Sequence, residues 1–138
     1  MKFGKLALVS VLGLLGLSGP SFAADWTRVE ELSSRIEFGG HTLGNEMQTQ
    51  IDVIYRRPQF WRRIAVYDLF DFELAAQNLK VAVNANGADE ASIRDEVAAV
   101  MEVLDRADGP VRESRFGYQI ESLFDDCRTW ANELSSLL

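Results

Sequence analysis

The C-terminal quarter of the chain carries the clearest ordering of apolar and polar positions. Phe116, Ile120, Leu123, Cys127, Trp130, Leu134 and Leu137 recur at alternating steps of four and three, the period of the buried seam of an α-helix and not the two-residue period of a strand. Ile93, Val97, Val100 and Leu104 repeat that spacing upstream. Between the two segments, Asp108-Gly109-Pro110 joins a residue tolerant of left-handed backbone to a helix breaker, so two antiparallel helices are expected, the last from Val111 to Leu138. Another helix is expected from about Gln59 to Asn84, with Trp61, Ala65, Leu69, Phe72, Ala76, Leu79 and Val83 on its core side. Pro58 suits its first turn, Asn84-Ala85-Asn86-Gly87 ends it, and Asp89 is placed to cap the helix that follows. A second stripe of Phe60, Ile64, Tyr67, Leu74 and Val81 runs along the same segment, with Asp71 at the step between Tyr67 and Leu74.

The N-terminal third is interrupted by Gly39, Gly40 and Gly44. Val29, Leu32 and Ile36 form one apolar stripe and Leu43, Met47, Ile51 and Ile54 another. The helical phase survives the glycines, because Ile36, Gly40, Leu43 and Met47 keep steps of four, three and four. One long helix from Trp26 to Arg56 is the reading adopted, with two helices broken at Gly39-Gly40 as the alternative. Each interior glycine costs roughly 1 kcal/mol relative to alanine, so three of them imply a kink or a compensating close helix approach. The pattern as a whole predicts an all-α fold, an up-down-up-down four-helix bundle with short connections at Arg57-Pro58 and Gly109-Pro110.

Ahead of this bundle, Lys2 and Lys5 precede a run from Leu6 to Leu17, and Ser21-Phe22-Ala23 offers a small-x-small cleavage site. That order is the one found in secretory signal peptides. Residues 1–23 are therefore expected to be a signal peptide and residues 24–138 a single helical-bundle domain. Gly13, Gly16, Ser18 and Pro20 argue against an uncleaved membrane anchor. The expected product is bacterial, periplasmic or secreted, and not transmembrane after cleavage.

The formal net charge of −7 becomes more negative once Lys2 and Lys5 are removed, which makes nucleic acid a poor partner. The charge is uneven: residues 25–88 carry −2 and residues 89–138 carry −7. Cys127 is the only cysteine, so no intramolecular disulfide can form.

His41 is the only histidine, and that removes much catalytic and metal chemistry. There is no HExxH pair for zinc, no set of carboxylates and histidines for a di-iron bundle and no CxxCH for covalent haem. Bundles that hold haem between a methionine of the first helix and a histidine of the last are not matched either. Met47 answers to the former, but Val111–Leu138 contains no histidine. No GxSxG turn offers a nucleophile to His41. No catalytic residue, cofactor or metal is therefore assigned. Cys127 falls on the seam and reads as a buried small apolar residue.

The segment that least resembles scaffold is Tyr55-Arg56-Arg57-Pro58-Gln59-Phe60-Trp61-Arg62-Arg63, with four arginines against an acidic background. Arg56 and Arg57 favourably end one helix, whereas Arg62 and Arg63 begin another, where the helix dipole disfavours them. The functional expectation is an exported, non-catalytic bundle that binds a protein or an anionic envelope component through Tyr55, Arg56, Arg57, Trp61, Arg62 and Arg63. The alternative is a bundle holding a ligand or metal near His41, Met47 and Asp71.

Overall fold

A computed structural model of the protein describes residues 25–56 and 59–138. The expected leader, Arg57 and Pro58 lie outside the described residues, as does the side chain of Tyr55. Four helices follow one another: α1 (Trp26–Arg56), α2 (Phe60–Asn84), α3 (Glu90–Ser114) and α4 (Tyr118–Leu137). Each packs against its neighbours in sequence, and α4 closes the ring against α1. The result is an all-α bundle of up-down type, in which α2 lies diagonal to α4 and α1 diagonal to α3 around one core. Among the described residues no helix is long and apolar enough to cross a membrane.

The seams anticipated for α1, α2 and α3 are buried over most of their length, but Trp61, expected on the core side of α2, is 47 % exposed because it stands in the first turn at the end of the bundle, and Ile51 of α1 is half-buried. Val29, Leu32, Ile36, Leu43 and Met47 of α1 meet Ala65, Leu69, Phe72, Ala76, Leu79 and Val83 of α2, with Ile93, Val97, Val100 and Leu104 of α3 completing the same core. Asp89 caps α3 as expected, its Oδ1 accepting from the Ser92 backbone N–H at 2.9 Å. Asp25 does the same for α1, accepting from the Thr27 N–H at 3.1 Å.

Two boundaries differ from the sequence reading. Gly109-Pro110 does not separate α3 from α4, because α3 runs through it to Ser114. Proline has the φ a helix needs, and its penalty is the lost N–H together with a clash against the carbonyl four residues back. Near the end of α3 that penalty is local, and it is opposed by burying Ala107, Pro110, Val111 and Ser114. The Pro110 carbonyl accepts from the Ser114 hydroxyl at 2.5 Å. The chain reverses instead at Arg115-Phe116-Gly117, where Arg115 is left-handed (φ 51°, ψ 52°) and Gly117 has φ 111°, a value that suits glycine. The last helix therefore starts at Tyr118 rather than Val111. Its buried line is Phe124, Cys127, Ala131 and Leu134, while Phe116 sits in the turn and Ile120, Leu123 and Trp130 flank the core half-exposed.

Helix α1 is continuous through its glycines, and the reason is close approach on two sides. A Cβ at Gly39 would collide with the Cys127 sulfur of α4. A Cβ at Gly40 would lie 3.0 Å from the Ala76 Cβ and 3.3 Å from the Glu73 Cα of α2. At Gly44 the obstacle is only the Glu73 carboxylate, which is the end of a flexible side chain. Gly40→Ala is therefore expected to lower stability by about 1–2 kcal/mol, overpacking against backbone outweighing the gain in helix propensity. Gly44→Ala is expected to be neutral or to stabilise by up to about 1 kcal/mol, because Glu73 can swing aside. Urea denaturation of both variants checks this, and a stabilised Gly40→Ala would remove the close-approach explanation.

Candidate functional site

The alternating helix directions bring the end of α1, the start of α2, the end of α3 and the start of α4 to one end of the bundle. That end gathers Arg56, Arg62 and Arg63 from the segment singled out in the sequence and adds Arg115 from the α3–α4 turn. Sequence reasoning missed Arg115, since it is more than fifty residues from the cluster and only the fold makes it a neighbour. Its left-handed backbone is the local signal, visible once the turn is placed there. A groove of about 410 Å³ runs between the start of α2 and the end of α3, lined by Gln59, Phe60, Trp61, Arg62, Glu113, Ser114 and Arg115. Trp61 is partly exposed, its ring meeting Phe60 edge-on at 5.1 Å, and Tyr118 stands almost fully exposed nearby at the start of α4.

The arginines divide into two groups. Six of them meet a carboxylate: Arg28 with Glu31 and Glu133, Arg35 with Glu31, Arg94 with Glu90, Arg106 with Asp68 and Asp71, Arg128 with Asp105 and Asp108, and, in the last turn of α3, Arg112 with Asp108 and Asp125. At the end of the bundle, Arg56, Arg62, Arg63 and Arg115 form no ion pair among the described residues. Arg62 is nonetheless anchored. Its Nη2 donates to the Ser114 carbonyl at 3.1 Å and its guanidinium stacks 5.1 Å from the Phe116 ring centroid. The dipole mismatch expected of Arg62 at the start of α2 is thus resolved by the neighbouring helix, because the cation sits at the C-terminus of α3. Its Nε is buried with no partner among the described residues. Arg56, Arg63 and Arg115 are exposed.

The residues of the ligand-holding alternative are not brought together. Met47 is fully buried in the core. His41 is exposed on α1, its Nδ1 2.9 Å from Glu73 Oε1 and its Nε2 3.1 Å from Asn45 Nδ2. Asp71 faces α3, where Arg106 Nη2 donates to it at 2.6 Å. Among the described residues no three histidine, cysteine, aspartate or glutamate side chains gather as metal ligands. Asp68 and Asp71 do share a helix side, as their spacing implies, and Arg106 bridges both.

Cys127 is buried against Gly39, and burial, with a smaller push from Asp126, raises its thiol from 9.0 to about 12. The fold and site together define an all-α four-helix bundle with ion-paired sides and an arginine-rich end. Comparison with protein-family models, curated proteins and solved structures finds no match.

Two outcomes follow from this geometry. The native Cys127 thiol is expected to resist aromatic disulfide reagents at pH 8 and to react at once in denaturant. Because the folded thiol keeps its proton to about 12 while the unfolded one releases it near 9.0, its contribution to stability is present below pH 9.0 and declines as pH rises from there towards 12. Rapid native labelling would show that the seam opens. Among the arginines, Arg62→Ala is expected to cost about 1–2 kcal/mol through the lost carbonyl bond and ring stacking, whereas Arg63→Ala should stay within about 0.5 kcal/mol. Equal losses in thermal unfolding would contradict the division into anchored and free arginines.

Proposed function

We propose that this protein is an exported, non-catalytic helical bundle that binds an anionic envelope component through its arginine end. The observation that carries the reading is the partition of arginines. In a chain with 21 acidic residues, six arginines are ion-paired, Arg112 at the end of α3 among them, yet Arg56, Arg63 and Arg115 gather at that end without an ion pair among the described residues. Guanidinium groups match phosphate and carboxylate oxygens through paired N–H donors, and their weak hydration makes transfer to such a partner inexpensive. Exposed Trp61 and Tyr118 flank them, each with an apolar body and a polar tip suited to a headgroup layer. Arg57 and Tyr55 belong to the same stretch of sequence and are included in the proposed surface. Export is supported by the order of residues 1–23, a charged start, an apolar run and a small-x-small site.

Arg115 adds a second strand of support. A non-glycine residue in the left-handed region costs about 1 kcal/mol, and a helix end of this kind is ordinarily glycine. An arginine kept there places a cation at the rim of the groove at the expense of stability, and strain of this sort gathers at binding sites.

The test is co-sedimentation with vesicles of anionic phospholipid against neutral vesicles, over a salt series. The wild-type protein is expected to bind the anionic vesicles and to release them as salt rises. Arg56→Glu/Arg63→Glu/Arg115→Glu should lose binding while keeping its fold, since Arg62 remains in place. Arg115→Gly should gain up to about 1 kcal/mol of stability and still bind more weakly. Undiminished vesicle binding by the triple variant would eliminate the arginine end as the contact surface.

A further inference from the structure

The groove between the start of α2 and the end of α3 also holds an acid. Glu113, in the last turn of α3, lines it together with Trp61, Arg62 and Arg115. It is exposed and forms no ion pair among the described residues, although two guanidinium groups share its groove. Arg62 donates its Nη2 to the Ser114 carbonyl at 3.1 Å instead, and Arg112, next to Glu113 in sequence, pairs with Asp108 and Asp125. A carboxylate in the last turn of a helix also lies at the negative end of the dipole, which disfavours it. A groove shaped for a simple anion has no use for such a group, because it repels what the arginines attract.

We propose that the groove takes a zwitterion, the phosphoethanolamine headgroup of a membrane phospholipid, with its phosphate on Arg115 and its ammonium on Glu113. The inference rests on the reading of the arginine end as a membrane-binding surface and adds which headgroup seats in it. Guanidinium N–H donors match phosphate oxygens. A primary ammonium brings three donors, and the Glu113 carboxylate accepts from them. The negative end of α3 that disfavours Glu113 alone favours that cation, as does the Trp61 indole that lines the same groove. A choline headgroup has the same net charge but no N–H, so it leaves Glu113 without a hydrogen bond.

The form of the groove decides the source of the ligand. At about 410 Å³ it has the size of a small-molecule site, yet apart from Arg62 and Ser114 the residues lining it are exposed. Sites for free small molecules enclose most of the ligand surface. An open groove suits a headgroup tethered in a layer, where neighbouring contacts hold it at high effective concentration. Arg56 and Arg63, unpaired among the described residues at the same end, meet the anionic lipids around it.

Co-sedimentation with two sets of vesicles tests the proposal. Both contain the same fraction of phosphatidylglycerol, the remainder being phosphatidylethanolamine in one and phosphatidylcholine in the other, so their charge is equal. The wild-type protein is expected to bind the ethanolamine vesicles about three- to fivefold more tightly, the size of one exposed charge pair. Glu113→Gln, at an exposed position, should keep its helix content and melting, bind both sets and lose the preference. Equal binding of the wild-type protein to both sets overturns the headgroup assignment while leaving the arginine end as an anion-binding surface. Failure to bind either set overturns that reading, and the assignment with it. A preference that persists in Glu113→Gln also overturns the assignment, since it then reports lipid packing and not the groove. Soluble glycerophosphoethanolamine at the same headgroup concentration is expected to leave vesicle binding unchanged, and displacement by it would make the ligand the free phosphodiester instead of a bilayer headgroup.

Discussion

The bundle depends on α1 coming very close to two helices at one level. Gly39 meets the Cys127 sulfur of α4, and Gly40 meets Ala76 and the backbone of α2 at Glu73. A helix normally keeps its neighbours 8–10 Å away because side chains intervene. Here two consecutive residues without a Cβ face two different neighbours, and α1 seats between them. The cost in helix propensity, about 1 kcal/mol for each glycine, is offset by dispersion and burial across Cys127, Trp130, Phe72 and Ala76. The same approach explains why Cys127 is chemically silent, since the glycine that admits it also closes solvent away from it.

Electrostatics then distinguishes the surfaces of this acidic molecule. Its carboxylates outnumber its cations, so an arginine on a side finds an acidic neighbour with little constraint on geometry, and several bridge two helices: Arg28 joins α1 to α4, Arg106 joins α3 to α2, and Arg112 and Arg128 join α3 to α4. Most of these pairs are solvated and worth little each. Arg106 differs because Asp68 is buried, and a buried carboxylate without its cation is costly. The arginine end departs from this pattern, and a departure from local neutralisation is more informative than a count of charges. The outward face of α2 departs in the other sense, being apolar and almost without charge in a chain that is a quarter charged.

Much of the architecture was legible because helical periodicity is a local property. Steps of four and three in Ile93 to Leu104 and in Ala65 to Val83 describe which residues share one side, and that side is the one buried. Continuity of α1 through its glycines was legible for the same reason, the phase being preserved across them. The α3–α4 boundary was misread because Gly109-Pro110 is a strong local breaker. Burial of Val111 and Ser114 below it overrides that preference, and no local rule weighs the two. In α4 the buried line is Phe124, Cys127, Ala131 and Leu134, so the core side shares Cys127 and Leu134 with the four-three seam but is turned toward Phe124 and Ala131, which that seam passes over.

The sequence by itself determined the helices, their sense and most of their buried sides, since each follows from residue spacing along a single segment. It also marked the arginine segment and, with one histidine in the chain, ruled out sites that need two. Only the tertiary structure decided which polar groups meet. It placed Arg115 beside Arg62, turned Arg62 onto the Ser114 carbonyl, kept His41, Met47 and Asp71 apart, and left the Phe60 to Val81 stripe facing outward. The physical reason is range: helix formation is settled within four residues, whereas pairing of charges and exposure of a face depend on neighbours that chain reversal brings from thirty to a hundred positions away.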